Sequence, residues 1–315
     1  MTNSTDLTDQ SSLPPPPPPP PGGLVVPDRP GATPPATPPP PGPVVVPPRP
    51  GATPPGRTPS GVRVLWKLFA LLLVIPGIAW GAYNVVVVLA HEERVETSSY
   101  PAAGLTSIDV HSAAGSVRIV GSERSTIDVR AEISDGLRST GERQEVVGGQ
   151  LRLRSSCPSV GSDWCSVDYE ISVPSGLAIS IKANNGLVTV TDTTGRVDID
   201  NDEGSVELTD LSGDIVASTD DGSVRASGLT SATATVDSDN GSVTLEFAAA
   251  PTGVTATTDN GSVEVVVPDD GEAYRLDIST DNGGRTAEIP TDPASPRSIT
   301  LRTDNGSVTA RTTAS

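Results

Sequence analysis

Apolar side chains recur two residues apart, in short runs, over most of the C-terminal two thirds of the chain. Val206/Leu208, Ile215/Ala217, Val224/Ala226, Val243/Leu245, Val263/Val265, Leu276/Ile278, Ile299/Leu301 and Val308/Ala310 all follow this spacing. A period of two belongs to a β-strand with one buried face. The runs are too short for helices, and glycine punctuates them at Gly186, Gly204, Gly222, Gly241, Gly261, Gly283 and Gly306, with spacings of 18, 18, 19, 20, 22 and 23 residues. The full unit reads Asp-Asn-Gly-Ser-Val, as at Asp239–Val243, Asp259–Val263 and Asp304–Val308. Asn and Gly tolerate positive φ, so each unit predicts a tight turn followed by a strand. Antiparallel hairpins and stacked coils both fit, since Asn-Gly also makes hairpins. Near-identical units favour stacking, because no unit buries its apolar strip alone. The expectation is all-β: a β-solenoid of seven 18–23-residue coils over 184–315. Residues 106–183 alternate less regularly and read as its membrane-proximal part, with a hairpin at Gly148-Gly149; residues 91–105 read as a polar stalk.

The pattern changes between Leu68 and Ala90, where 23 residues carry no charge. Such a helix reaches roughly 34 Å, enough to cross a bilayer core of about 30 Å. We assign 64–90 as a transmembrane helix. Arg57, Arg63 and Lys67 precede it, so the positive-inside rule puts the N-terminus in the cytoplasm and the C-terminal part outside the cell membrane. A cleaved signal peptide is the rival reading, opposed by the long segment before the apolar run.

Composition divides along the same boundary. Residues 1–60 hold 23 of the 32 prolines, eight in a row from Pro14 to Pro21. The segment Val25–Pro35 returns as Val45–Pro55. Residues 1–63 are therefore expected to be a disordered, Pro-rich tail of polyproline II and coil. A docking role and a drifted duplication both fit it. Residues 1–90 carry three acids against five bases, so 36 of the 39 acids and 16 of the 21 bases lie beyond Ala90, a net of −20. That excludes nucleic acid as a partner.

Cys157 and Cys165 fall outside the membrane on this topology, and an even count there predicts a disulfide. Their spacing is not the Cys-x-x-Cys of redox centres. Asp202, Asp221, Asp239, Asp259, Asp281 and Asp304 recur at the turns and would stack along one edge. Neither the EF-hand spacing nor the glycine-rich calcium nonapeptide is present, so only weak, non-specific stabilisation by a divalent cation such as Ca2+ is expected. No catalytic residue and no other cofactor is assigned: His91 and His111 are isolated, and no nucleophile–base set or phosphate-cradling loop stands out.

The run Cys165-Ser166-Val167-Asp168-Tyr169-Glu170-Ile171-Ser172-Val173-Pro174-Ser175-Gly176-Leu177, followed by serial Gly-Ser-Val units, resembles the "putative adhesin" or toast-rack family of bacterial envelope proteins, a domain of unknown function. The resemblance covers about 106–315. It implies a β-solenoid in a membrane-anchored setting and no catalytic residues. Together these readings describe a single-pass envelope protein with an external adhesin-like binding module. Its partners would be a cell-wall or surface polymer or another envelope protein. The alternatives are envelope-stress signalling through the Pro-rich tail and a passive spacer. The coil around Val308 has too little chain after it to be capped, so it is expected to self-associate as an open edge.

Overall fold

The computed structural model describes residues 60–89, 91–159 and 164–313; the expected Pro-rich tail lies almost entirely outside them. Helix α1 spans Ser60–Leu89 and includes Pro76. Its stretch Val64–Val86 is long and apolar enough to cross a membrane, and none of it is buried against protein. Trp66, Phe69, Leu72 and Trp80 all stand exposed along it.

The remaining described residues form twenty-one strands in two sheets, of eleven and ten strands. Each regular coil gives one strand to each sheet. The coils are β8 (Ala178–Asn185) with β9 (Val188–Thr191), β10 (Val197–Glu203) with β11 (Val206–Thr209), and β12 (Ile215–Asp221) with β13 (Val224–Leu229). Then come β14 (Thr233–Asn240) with β15 (Val243–Phe247), β16 (Gly253–Asn260) with β17 (Val263–Val267), β18 (Arg275–Asn282) with β19 (Arg285–Glu288), and β20 (Ser298–Asn305) with β21 (Val308–Thr312). Pairing between these coils is parallel throughout, which resolves the choice between hairpins and a solenoid in favour of the solenoid.

The register is set by the apolar strip. Val188, Val206, Val224, Val243, Val263 and Val308 stack in one row, and Ile179, Val197, Ile215, Ala234, Val254 and Ile299 in another, all nearly inaccessible. Each coil is narrow, so small branched side chains fill it without voids. The buried rings, Tyr169, Phe247 and Tyr274, lie outside the repeated Gly-Ser-Val turns.

Residues 106–183 hold two more coils of the same kind: β2 (Ser107–Ser112) with β3 (Val117–Ser122), and β6 (Gln150–Ser156) with β7 (Ser166–Pro174). Cys157 and Cys165 are bridged where β6 gives way to β7, with Cα atoms 5.7 Å apart, so the bridge ties one sheet to the other. Closing so short a loop stabilises by about 2.5 kcal/mol in the chain-entropy view. Strands β4 (Thr126–Asp135) and β5 (Gly141–Val147) run antiparallel to β7 and β6. The turn between β5 and β6 is the Gly148-Gly149 pair, both at positive φ.

Two expectations are corrected. Residues 91–105 are not a stalk: β1 (Glu92–Pro101) pairs along its whole length with β4 and is the edge strand of its sheet. Backbone hydrogen bonds and Arg94, which pairs with Asp135, hold it there, so the sequence shows little apolar alternation. The coil around Val308 is also not the open end. Strand β21 lies between β17 and β19, and β20 between β16 and β18. The outermost strands at this end are β18 and β19, whose side chains are largely polar and exposed. The other end shows the same arrangement, with β2 lying between β8 and β6 and β3 between β9 and β7.

The turn glycines leave no room for a side chain. A Cβ on Gly222 would sit 1.9 Å from the Gly204 carbonyl oxygen, and one on Gly241 would sit 1.8 Å from that of Gly222. Gly284, in contrast, faces open space, and a Cβ there would meet nothing within 4 Å. Gly241→Ala is expected to destabilise by about 2–4 kcal/mol, because neighbouring backbone must move. Gly284→Ala is expected to stay within about 0.5 kcal/mol. Denaturant unfolding of the two variants checks this.

Candidate binding surface

Each turn carries three stacked rows with different jobs. The buried row is polar: Asn201, Thr219, Ser238, Thr258, Thr303 and Thr280 lie in register. Each donates to the carbonyl of a turn glycine on the neighbouring coil. Thr219 Oγ1 reaches Gly204 O at 3.2 Å, Ser238 Oγ reaches Gly222 O at 2.9 Å, Thr258 Oγ1 reaches Gly241 O at 2.8 Å, Thr303 Oγ1 reaches Gly261 O at 2.9 Å, and Thr280 Oγ1 reaches Gly306 O at 3.0 Å. Sequence reasoning missed this row. Its signal is a hydroxyl three residues before Gly222, Gly241, Gly261, Gly283 and Gly306, with Asn201 in the same place before Gly204.

The second row is Glu203, Asp221, Asn240, Asn260, Asn305 and Asn282. The Asn residues do not take the positive φ expected of them; their side chains form an amide ladder. Asn240 Nδ2 donates to Asp221 Oδ1 at 2.9 Å, Asn260 to Asn240 at 3.1 Å, Asn305 to Asn260 at 3.1 Å, and Asn282 to Asn305 at 3.0 Å.

The residues just before this ladder are Asp202, Asp220, Asp239, Asp259, Asp304 and Asp281, all exposed. Five of the six candidate cation residues therefore share a row, while Asp221 sits in the amide ladder and Asp220 takes its place. The unit there has Asp221 where the later units have Asn, which hides the shift in the sequence. Among the described residues, no group of three or more His, Cys, Asp or Glu side chains is arranged to hold a metal ion.

The outward faces of the two sheets are broad and made of residues between the buried ones. One face carries Thr189, Glu207, Arg225, Thr244, Glu264 and Thr309 in a single row across six strands. Charges of opposite sign neighbour one another: Arg311 Nε lies 2.8 Å from Glu264 Oε1. The other face carries Val216, Thr235, Thr255 and Thr300 in one row, and Ser218, Asp237, Thr257 and Arg302 in the next. Such faces offer a repeated set of hydroxyls and charges for contact, and on the first a shallow depression of about 320 Å³ lies among Glu207, Arg225, Thr244 and Glu246.

Residues 178–310 match the family model Toastrack DUF4097. Over these residues the chain is similar to the Toastrack family. The matched stretch begins with β8 and covers the regular coils up to β21. No curated protein matches the chain. Solved structures similar to it include a "putative cell adhesion protein" from Clostridium sporogenes, at 13% identity and TM-score 0.33, covering 70% of this chain and 100% of that one. A "putative adhesin" from Bacteroides fragilis matches at 15% identity and TM-score 0.38, covering 70% of this chain and 97% of that one. A "Putative lipid binding protein" from Parabacteroides distasonis matches at 14% identity and TM-score 0.23, covering 70% and 95%.

Asp237, on the outward face of β14, lies within reach of the acidic turn row. Partial burial raises its carboxyl above the usual range, and Asp239 and Asp259 push in the same direction. A carboxyl raised in the folded state contributes stability below its unfolded pKa, which is lost as pH rises through the folded value. Asp237→Asn is expected to raise the melting temperature at neutral pH and leave it unchanged in acid below the carboxylate range. Thermal unfolding at the two pH values checks the sign.

Proposed function

We propose that the chain is a single-pass bacterial envelope protein. Helix α1 anchors it in the cell membrane, the Pro-rich segment faces the cytoplasm, and the solenoid is an external adhesin-like binding module. The observation that carries this reading is the outward surface of the two sheets, where polar side chains repeat in register from strand to strand. A repeated surface suits an extended ligand whose own groups repeat, such as a cell-wall or surface polymer. The exposed apolar stretch of α1 and the basic residues ahead of it support the anchor and its orientation.

The test uses the full chain in detergent micelles, immobilised and challenged with purified cell-wall polymers. Retention of a wall polymer is expected, and retention is expected to persist when residues 1–59 are deleted. Absence of retention sinks the binding reading. Retention lost on removing residues 1–59 moves the activity from the solenoid to the tail.

A further inference from the structure

The charge of the external region has one local exception, and it lies where the antiparallel strands join the stack. On the outward face of the ten-stranded sheet, Arg143 on β5 stands directly opposite Arg154 on β6. Arg154 is in turn beside His111 on β2, and His111 is beside Lys182 on β8. Three permanent cations and a histidine thus occupy consecutive positions along one line, spaced by the strand separation of about 4.8 Å. The line ends at Asp200 on β10, whose Oδ2 lies 2.6 Å from Lys182 Nζ.

This arrangement is unfavourable in isolation. Like charges directly opposite each other on neighbouring strands repel. The side chains are not buried: Arg143 is 77% exposed and Lys182 59%. Arg143 and His111 have acidic neighbours along their own strands, Glu145 at 3.5 Å and Asp109 at 3.1 Å. Arg154 has no ion-pair partner among the described residues. Between them Arg143, Arg154 and His111 line a shallow cleft of about 360 Å³, with Glu142 and three small residues completing it.

The surroundings decide the shape of a ligand. On one flank the next outward row carries Glu145, Asp109 and Asp198, with Arg152 among them. On the other flank stand Gly141, Ser156, Ala113 and Asn184, small and uncharged. A broad anionic plane such as a membrane surface would press against the acidic flank. A thin chain lying on the cations, with its bulk over the small residues, avoids it. Guanidinium groups offer paired N–H donors that match phosphate oxygens, and two of the four positions are Arg.

We propose that Arg143, Arg154, His111 and Lys182 form a track that binds a linear, phosphate-bearing polymer along the stacking direction. The proposal rests on reading the solenoid as a binding module and names the ligand class that this part of it takes. Bound phosphates neutralise the row and remove its self-repulsion.

The test is binding of inorganic polyphosphate to the full chain in detergent micelles, over a series of salt concentrations, with Arg143→Gln/Arg154→Gln as the variant. Arg275→Gln, on β18 at the opposite end, is the control. The double variant is expected to bind about tenfold more weakly or worse, and its log-affinity to fall less steeply with log salt. The slope should change by about 1.5, at roughly 0.7–0.9 for each phosphate no longer neutralised. Without polyphosphate, its melting temperature is expected to equal or exceed that of the parent, which separates lost binding from lost folding. The proposal is overturned if the parent does not bind polyphosphate, or if the double variant binds as the control does. Equal affinity for inorganic phosphate would mean a single-anion site instead of a track. Binding to phosphatidylglycerol vesicles without binding to polyphosphate would make it a membrane contact. Retention of a wall polymer that survives the double substitution would leave the module reading intact and refute this one.

Discussion

Everything in the solenoid depends on how closely one backbone turn approaches the next. Gly186, Gly204, Gly222, Gly241, Gly261, Gly306 and Gly283 stack in spatial order, and a Cβ on each would lie within about 2 Å of a carbonyl oxygen on its neighbour. The approach lets the amide of one glycine donate across the gap, as Gly222 N does to Asn240 O at 3.0 Å and Gly241 N to Asn260 O at 3.0 Å. It also presents the carbonyls of Gly204, Gly222, Gly241, Gly261 and Gly306 to buried Ser or Thr hydroxyls. Corner backbone groups that would otherwise be desolvated without partners are thereby satisfied. With the turns locked, adjacent strands stay at sheet spacing, and the Val, Ile, Leu and Ala strip closes without large side chains.

The acidic exterior follows from the same geometry. Stacking identical units puts identical side chains one strand apart, so a single charged position becomes a row of like charges. Where the row sits at the turn, amides interleave beside it and hydrogen-bond to one another. On the outward faces, sign alternation does the same work at Glu264 and Arg311 and at Lys182 and Asp200. The Arg143–Lys182 line departs from that rule.

Most of the fold was legible because its determinants are local. Glycine spacing, the Ser-Val that follows, and alternation at Val206/Leu208 or Val263/Val265 specify turn, strand and inward face within a few residues of one another. What remained hidden is non-local. Strand β1 has only Val95 and Tyr100 as large apolar residues, and its place comes from backbone pairing with β4. The order of the last two coils depends on which neighbour each strand meets, and nothing in Asp281-Asn282-Gly283 or Asp304-Asn305-Gly306 distinguishes them. The cationic line is similarly hidden, since its four residues come from four strands separated by up to seventy-one positions, from His111 to Lys182.

The inserted coils set the rules by which such an array can grow. A simple stack could be extended at either end by copying one unit. Here the first coil in sequence, β2 with β3, and the last, β20 with β21, are each enclosed by a coil from another part of the chain. A duplicated unit placed after β21 would have to displace β18 and β19, and one placed before β2 would meet β6 and β7. New units fit only between β8 and β17, where sequence order and spatial order agree. Lineages of this architecture are therefore expected to differ in length through their middles, with both ends inherited as fixed pieces.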